Sequence, residues 1–201
     1  SGTTIAIDDP DAEAIVGSAL FAGKSAPKFS MLRGAILHRL LQVLPSVDGP
    51  ERLAAAERYL ARSVPRWPEA ERRALAGTVM DVLDHADLQP LFGEHSRAEV
   101  SVMGTLKLGV REFAVSGRID RLAVTGDMVT IADYKTNREI PETPEEIAPV
   151  YRNQLAIYRE LLKPLYPGKR FRCVLIFTEG PAIRVLPEPM LDRSLEELAT
   201  K

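Results

Sequence analysis

The chain has 201 residues, a formal net charge of −2 at pH 7 and an apolar fraction of 45%. This length suits one globular domain, because single cores grow to roughly 250 residues before they divide. One cysteine excludes an internal disulfide framework, a four-cysteine zinc site and a cysteine-held iron–sulfur cluster, and it predicts a reducing, cytoplasmic setting. No apolar run is long enough to span a membrane. The near-neutral charge argues against a free-standing nucleic-acid binder, which is usually strongly basic.

The first half of the chain is predicted to be helical. Acidic residues and a proline mark a helix start at Asp8, and this helix is expected to run to about Phe21. Further helices are predicted over Met31–Leu44, Pro50–Arg62 and Pro68–Ala86. The composition changes at residue 96, so residues 1–95 are expected to form a helical N-terminal part.

From residue 96 onward, alternating segments separated by glycine predict strands. These are expected at Glu99–Met103, Phe113–Val124, Val129–Tyr134, Arg172–Thr178 and Ala182–Leu186. Helices are expected from Thr143 to about Lys163 and over Met190–Ala199. A helix thus separates the first strands from the last two, which indicates a mixed sheet. The predicted fold class is α/β: a mixed central β-sheet flanked by helices, with residues 96–201 as its core and one compact domain overall.

Two neighbouring strands of this core each carry an aspartate. If they pair through a two-residue loop at residues 126 and 127, Asp120 lies directly opposite Asp133. Opposed residues have Cβ atoms about 4.5–5.5 Å apart, where two carboxylates repel each other. A divalent cation between them removes the conflict, and Mg²⁺ prefers oxygen ligands. Lys135 shares this face and can reach past the metal toward a water or a phosphoryl oxygen.

A surface hairpin without a function is the alternative interpretation. In that case Arg118, Arg121 and Lys135 neutralise two exposed aspartates, which are common on protein surfaces. The apolar neighbours Leu122 and Ile131, together with Lys135, instead favour a half-buried charged site. Such sites are usually functional.

The same residues carry a resemblance to a known family. Asp120 followed by Asp133-Tyr134-Lys135 resembles the core of the PD-(D/E)XK nuclease superfamily, in its Asp-Tyr-Lys-Thr form. The resemblance implies a restriction-endonuclease-like fold and a site that binds Mg²⁺, with Mn²⁺ as a substitute and no iron–sulfur cluster. In it, Asp120, Asp133 and Lys135 are catalytic, and both aspartates hold the metal.

Two flanking motifs resemble those of the RecB-type branch of this superfamily. Gly34 and His38 match its Gly-x-x-x-His motif, and Gln154 and Tyr158 match its Gln-x-x-x-Tyr motif. By resemblance, His38 is a metal ligand and Gln154 acts beside the catalytic lysine. The residues expected to face or support DNA are Gly34, Tyr151 and Tyr158. Glu99 is a further acidic candidate, although a glutamate is unremarkable at a strand edge.

The order and spacing of the motifs are similar to those of the C-terminal nuclease domain of AddA-type helicase–nucleases. This likeness implies an exonuclease that acts on single-stranded DNA produced by a helicase, in double-strand-break repair and recombination. Its implied partners are DNA, helicase domains of the same parent chain and an AddB-like subunit. The low net charge fits a cutting domain that receives DNA from a larger assembly, since non-specific DNA binding needs many phosphate contacts.

Two other functions stay open. One is a freestanding exonuclease of the same superfamily. The other is a non-catalytic module that guides DNA or docks a partner, although the retained Asp120, Asp133 and Lys135 weigh against it. Between Tyr151 and Arg184 the basic residues outnumber the acidic ones, so this segment offers a local anion-facing strip.

Overall fold

The computed structural model describes residues 3–7, 26–137 and 139–200. The helix predicted from Asp8 to Phe21 lies outside the described residues. The helices are α1 (Ala26–Val43), α2 (Arg52–Ser63), α3 (Glu69–Asp84), α4 (Pro149–Leu162) and α5 (Glu188–Ala199). The strands are β1 (Thr3–Ile7), β2 (Ser96–Leu108), β3 (Arg111–Thr125), β4 (Met128–Lys135), β5 (Arg170–Phe177) and β6 (Ala182–Leu186).

The six strands form one mixed sheet in the order β1-β3-β4-β5-β6, with β2 on the other edge of β3. The pairs β1–β3 and β4–β5 are parallel, and the other three pairs are antiparallel. Helix α4 connects β4 to β5, as a parallel pair requires a long crossover. The mixed sheet, its flanking helices and the helical segment before it confirm the predicted fold class.

Several element boundaries differ from the predicted ones. Strand β1 lies in the segment expected to be helical, because its partner on β3 is remote in the sequence and no local pattern reveals the pairing. Strands β2 and β3 extend beyond their predicted ends as a long hairpin. Helix α4 begins at Pro149, with a separate 3₁₀ turn at Pro144–Glu146. Proline suits the first helical position and disfavours helix in the residue before it, so Pro149 sets this start.

Helices cover both faces of the sheet, and an apolar cluster lies under each layer. On one face α1, α2 and α3 pack over Ala132 and Tyr134 of β4. On the other face α4 and α5 pack over Val129 and Ile131. Because side chains alternate along a strand, Asp133 and Lys135 point toward α4. Among the described residues, none of the helices has the length and hydropathy needed to cross a bilayer.

Arg121 joins the first helical layer to the sheet. Its side chain is buried, its Nη2 donates to the carbonyl oxygen of Leu41 at 2.5 Å, and its guanidinium lies 5.1 Å from the ring centroid of Phe92. Leu41 lies one turn after His38 on α1, so this contact sets the position of α1 over β3. Arg121 is therefore a structural residue, and it is not one of the exposed neutralising charges of the surface-hairpin alternative.

Replacing Arg121 by methionine is expected to lower the free energy of unfolding by about 1.5–3 kcal/mol, because a buried hydrogen bond from a charged donor is lost. Urea denaturation followed by circular dichroism measures the change. Arg73→Met is the matched control, because Arg73 forms an exposed i,i+4 pair with Glu69. Such pairs contribute little stability. Equal losses in the two variants would contradict a structural role for Arg121.

Candidate metal centre

On one edge of β3 a gap at residues 118–120, called the fork below, separates the segment paired with β1 from the segment paired with β4. On this edge β1 pairs with residues 113–117 and β4 with residues 121–125, while β2 follows the opposite edge. Within the described part of the chain, residues 118–120 have no neighbouring strand there. Such a gap leaves backbone polar groups and side chains available for other partners.

The register beside this fork is the predicted one. The pairs Val124–Val129 and Leu122–Ile131 form as expected, and the β3–β4 ladder ends at Arg121 and Ala132. Asp120 and Asp133 are the next position in this register and lie just beyond the last paired residues. The Asp120 carboxylate takes the place of a strand neighbour, because its Oδ2 accepts a hydrogen bond from the Tyr134 backbone N–H at 2.8 Å.

Three potential metal ligands from three elements meet at the fork. They are His38 on α1, Glu99 on β2 and Asp120 on β3, and one ligand atom of each lies within 4.8 Å of the other two. His38 Nδ1 is 3.6 Å from Asp120 Oδ1, and the His38 ring packs edge-on against Tyr134. An imidazole and two carboxylates form a donor set that suits Mg²⁺ or Mn²⁺.

Glu99 enters this group through an irregular backbone. Its φ angle is 53°, in the left-handed region that non-glycine residues rarely adopt. The β2–β3 pairs on either side of it are regular, but Glu99 itself is skipped in the ladder. Local irregularities of this kind redirect side chains and cluster beside functional sites. The sequence ranked Glu99 last because a glutamate is unremarkable at a strand edge, and nothing in the local pattern indicates this backbone conformation.

Asp133 and Lys135 form a second, more deeply buried charged pair. Asp133 Oδ2 lies 2.6 Å from Lys135 Nζ, and the Lys135 side chain is fully buried. Lys135 Nζ also lies 4.1 Å from the ring centroid of Tyr151, in cation–π contact. Asp133 is outside the group of three ligands, yet it borders the same cavity of about 700 Å³. His38, Glu99, Asp120 and Gln154 line that cavity as well.

Burial and charge act on Asp120 in opposite directions. Burial alone raises the pKa of Asp120, but the hydrogen bond and charge of His38, the Tyr134 N–H and the charge of Lys135 together hold the pKa below its usual range. Asp120 is therefore ionised at neutral pH, which is the state that binds a cation.

The Gln154 and Tyr158 side chains support the fork from the face of the sheet that α4 covers. Tyr158 is fully buried, and its hydroxyl donates to the Arg118 carbonyl oxygen at 2.9 Å and accepts from the Arg118 N–H at 3.2 Å. Burial raises the pKa of Tyr158 to about 12, so the hydroxyl keeps its proton. Gln154 lies one helical turn before Tyr158, is only 5% exposed and lines the cavity. Its Oε1 has no hydrogen-bond partner among the described residues.

Tyr151 and Gly34 lie beside the end of β4. The Tyr151 hydroxyl accepts a hydrogen bond from Asn137 Nδ2 at 3.1 Å, and its ring packs against Lys135. A Cβ atom added to Gly34 would lie 3.5 Å from Thr136 Oγ1, which is an ordinary van der Waals distance, so α1 passes close to the loop after β4 at this residue.

Replacing Tyr158 by phenylalanine removes both contacts with Arg118. The expected loss in the free energy of unfolding is about 1–3 kcal/mol, because two backbone groups at the fork lose their partner. Thermal and urea denaturation measure it. Tyr59→Phe is the control, since the Tyr59 hydroxyl makes no hydrogen bond within the described residues and lies only partly buried on α2. An unchanged Tyr158→Phe variant would show that the hydroxyl does not support the fork.

The comparisons with known proteins agree with the geometry of the fork. The sequence matches the family model of the PD-(D/E)XK nuclease superfamily over residues 19–200. It is also 29% identical over 92 residues to a protein of Streptococcus suis (strain 98HAH33) that is named as a subunit of an ATP-dependent helicase/nuclease. That alignment covers 46% of this chain and only 7% of the relative, so the chain corresponds to a small part of that protein.

Two solved structures show weaker similarity. The crystal structure of SSO0001 has 17% identity and a TM-score of 0.36, with 83% of this chain and 84% of that chain covered. The crystal structure of protein VC1899 from Vibrio cholerae has 17% identity and a TM-score of 0.29, with 88% and 56% covered. Both TM-scores are low, so the family assignment rests on the sequence match, which spans nearly the whole chain. On that match, the chain belongs to the PD-(D/E)XK nuclease superfamily.

Proposed function

We propose that this chain is a Mg²⁺-dependent deoxyribonuclease domain that hydrolyses phosphodiester bonds. It acts as an exonuclease on single strands produced by a helicase, in double-strand-break repair and recombination. One observation carries the proposal: His38, Glu99 and Asp120 converge on a cavity that also receives Asp133, beside the buried amine of Lys135. Cation ligands next to a fixed positive charge are what hydrolysis of a phosphodiester requires.

The residues at the fork fit a divalent cation. An imidazole nitrogen and carboxylate oxygens are available together, and Asp120 is held in its ionised form. The unpartnered Oε1 of Gln154 offers one more acceptor on the cavity wall of the described chain. We therefore assign Mg²⁺, or Mn²⁺ in its place, to His38, Glu99 and Asp120. Asp133 lies outside this group of three but borders the same cavity, and we propose it, as the sequence does, as a further ligand.

Each residue then has a distinct part in hydrolysis. A bound Mg²⁺ supplies Lewis acidity toward the phosphate and lowers the pKa of a coordinated water. Lys135 offers a positive charge, fixed by Asp133 and Tyr151, that offsets the negative charge developing on the phosphate. Gln154 Oε1 accepts a hydrogen bond from a water in the cavity and orients it. Tyr158 holds the backbone of Arg118, two residues before Asp120.

The helicase context rests on the similarity to one relative and on the charge of the chain. The name of that relative describes a helicase/nuclease that depends on ATP, and the matched part is a small fraction of it. A net charge of −2 provides little non-specific attraction to DNA. We therefore assign non-specific DNA binding to helicase domains of the same parent chain and to an AddB-like partner subunit.

Metal removal tests the proposed function. The chain, in excess over a labelled single-stranded oligonucleotide, is expected to cleave it with Mg²⁺ or Mn²⁺, to stop in EDTA and to resume when the metal is restored. Calorimetric titration with Mn²⁺ measures binding independently of cleavage. Cleavage that persists in EDTA, or an unmutated chain that does not bind Mn²⁺, would overturn the proposal. The second result favours the non-catalytic alternative.

A further inference from the structure

Arg118 lies at the mouth of the cavity, and neither the motifs nor the proposed mechanism gives it a role. Its side chain is 66% exposed, and it lines the cavity together with Asp120 and Asp133. Its backbone N–H and C=O are both held by the Tyr158 hydroxyl. The base of this side chain is therefore fixed, while its cationic end projects into solvent next to the candidate metal ligands.

A cation bound at the fork would compete with the Arg118 guanidinium for Glu99. Arg118 Nε lies 2.8 Å from Glu99 Oε2, and Glu99 is also one of the three converging ligands. A cation bound at His38 and Asp120 draws on the same carboxylate. The Arg118 side chain is 66% exposed and the Glu99 side chain 23%, so water can solvate the guanidinium once it separates, and little free energy opposes the separation. Occupation of the metal site therefore releases the guanidinium.

Other arginines of this chain show what a purely structural role looks like. Arg159 is buried, with its guanidinium between Glu160 and Asp192. Arg121 is buried against Leu41 and Phe92. Arg118 differs from both because most of its side chain is open to solvent on the cavity side. An exposed guanidinium beside a cation site can bind a negatively charged phosphate group, because its planar fork of N–H groups donates to two phosphate oxygens at once.

The rest of the cavity wall near Arg118 is also suited to a nucleic-acid backbone. Polar side chains from α1, β2 and β3 line it, namely Arg39, Gln42, Ser101 and Ser116. Hydroxyl, amide and guanidinium groups are the side chains that contact phosphate and sugar oxygens without reading sequence. The wall thus continues from the acidic ligands to a strip of hydrogen-bond donors.

Resting on the proposed function, we propose that Arg118 is a phosphate-binding residue of the DNA site, and that metal binding frees it by drawing Glu99 away. Glu99 pairs with the guanidinium before the cation binds, and it ligates the cation afterwards. The freed guanidinium then contacts phosphate oxygens of the DNA strand at the mouth of the cavity. Cation binding and DNA binding are coupled through this one exchange of partners.

The exchange predicts effects of opposite sign in Arg118→Met. Mn²⁺ affinity, measured by calorimetry, is expected to rise about two- to fivefold, because Glu99 loses a competing positive charge. The affinity for a fluorescein-labelled oligothymidylate, measured by anisotropy with Ca²⁺ in place of Mg²⁺ at low salt, is expected to fall roughly fivefold or more, since a charge-assisted phosphate contact is lost. The dependence of log K on log salt is expected to flatten by about 0.7, the value for one phosphate contact on a single strand.

Arg73→Met is the matched control, because Arg73 is 69% exposed and also pairs with a glutamate, but on α3. It is expected to change neither affinity. Arg118→Lys keeps the charge without the planar fork and is expected to bind the oligonucleotide with intermediate affinity. The inference is overturned if both affinities of Arg118→Met fall together, if neither changes, or if the unmutated chain does not bind the oligonucleotide. Failure of the proposed function is seen separately, as absence of Mn²⁺ binding or of metal-dependent cleavage in the unmutated chain.

Discussion

Asp120→Ala is expected to lower the rate of Mg²⁺-dependent cleavage by roughly a thousandfold or more, and to remove measurable Mn²⁺ binding. Asp120 is the central residue of the ligand group, since it contacts His38 through Oδ1 and the Tyr134 N–H through Oδ2. Its low pKa keeps it ionised. Its loss therefore removes the charge that attracts the cation and also loosens the end of β4.

Asp120→Asn separates these two effects. The amide oxygen can still accept the hydrogen bond from Tyr134, so the fold at the fork is preserved, but the negative charge is gone. We expect this variant to unfold at nearly the unmutated temperature and to lack both cleavage and Mn²⁺ binding. Asp127→Asn is the matched control, because Asp127 is an exposed aspartate in the turn of the same hairpin. Metal-dependent cleavage by Asp120→Asn at the unmutated rate would show that the metal lies elsewhere.

The parts of the fold that sequence predicted well are those with local signals. The two-residue loop at Gly126 and Asp127 fixes the β3–β4 register, and a one-residue slip would turn Val129 and Ile131 away from their cluster under α4 and α5. Prolines and capping residues indicated the helices. Strand β1 could not be predicted in this way, since it is stabilised by a partner on β3 far along the chain.

Sequence prediction of the candidate site is likewise limited to features with a local signal. Alternation on a regular hairpin places Asp120 and Asp133 together, and the family resemblance implies His38 as a third ligand. The ladder instead ends before Asp120, and a left-handed residue in β2 brings Glu99 toward His38. Both departures depend on backbone conformations that several strands impose jointly. Residue types and spacing therefore identified the region, while three-dimensional packing decides which carboxylates meet.

Lys135 is expected to affect cleavage without affecting metal binding. Its Nζ is fully buried, lies 2.6 Å from Asp133 Oδ2 and contacts the Tyr151 ring, and an amine that carries a proton does not ligate a cation. Lys135→Met is therefore expected to lower the cleavage rate by roughly a hundredfold to a thousandfold, as loss of one fixed charge at a reacting phosphate does. The Mn²⁺ affinity is expected to stay the same or to rise.

Removing one member of a buried ion pair also destabilises a protein, by about 3–5 kcal/mol in general. The double variant Lys135→Met with Asp133→Asn avoids this problem, because it leaves no unpaired buried charge at this position. We expect it to recover most of the stability and none of the cleavage. Lys107→Met is the matched control, since Lys107 forms an exposed pair with Glu112 on the β2–β3 hairpin.

The two measurements together distinguish catalysis from structure at Lys135. A residue that only stabilised the fold would regain cleavage once stability is restored, because Asp120, His38 and Glu99 remain in place in the double variant. A residue that acts on the phosphate would not, because the positive charge is still missing. Recovery of cleavage in the double variant would therefore assign Lys135 to the core. Persistent loss of cleavage that exceeds the loss in Asp133→Asn alone, with Mn²⁺ still bound, would assign the charge of Lys135 to the reaction.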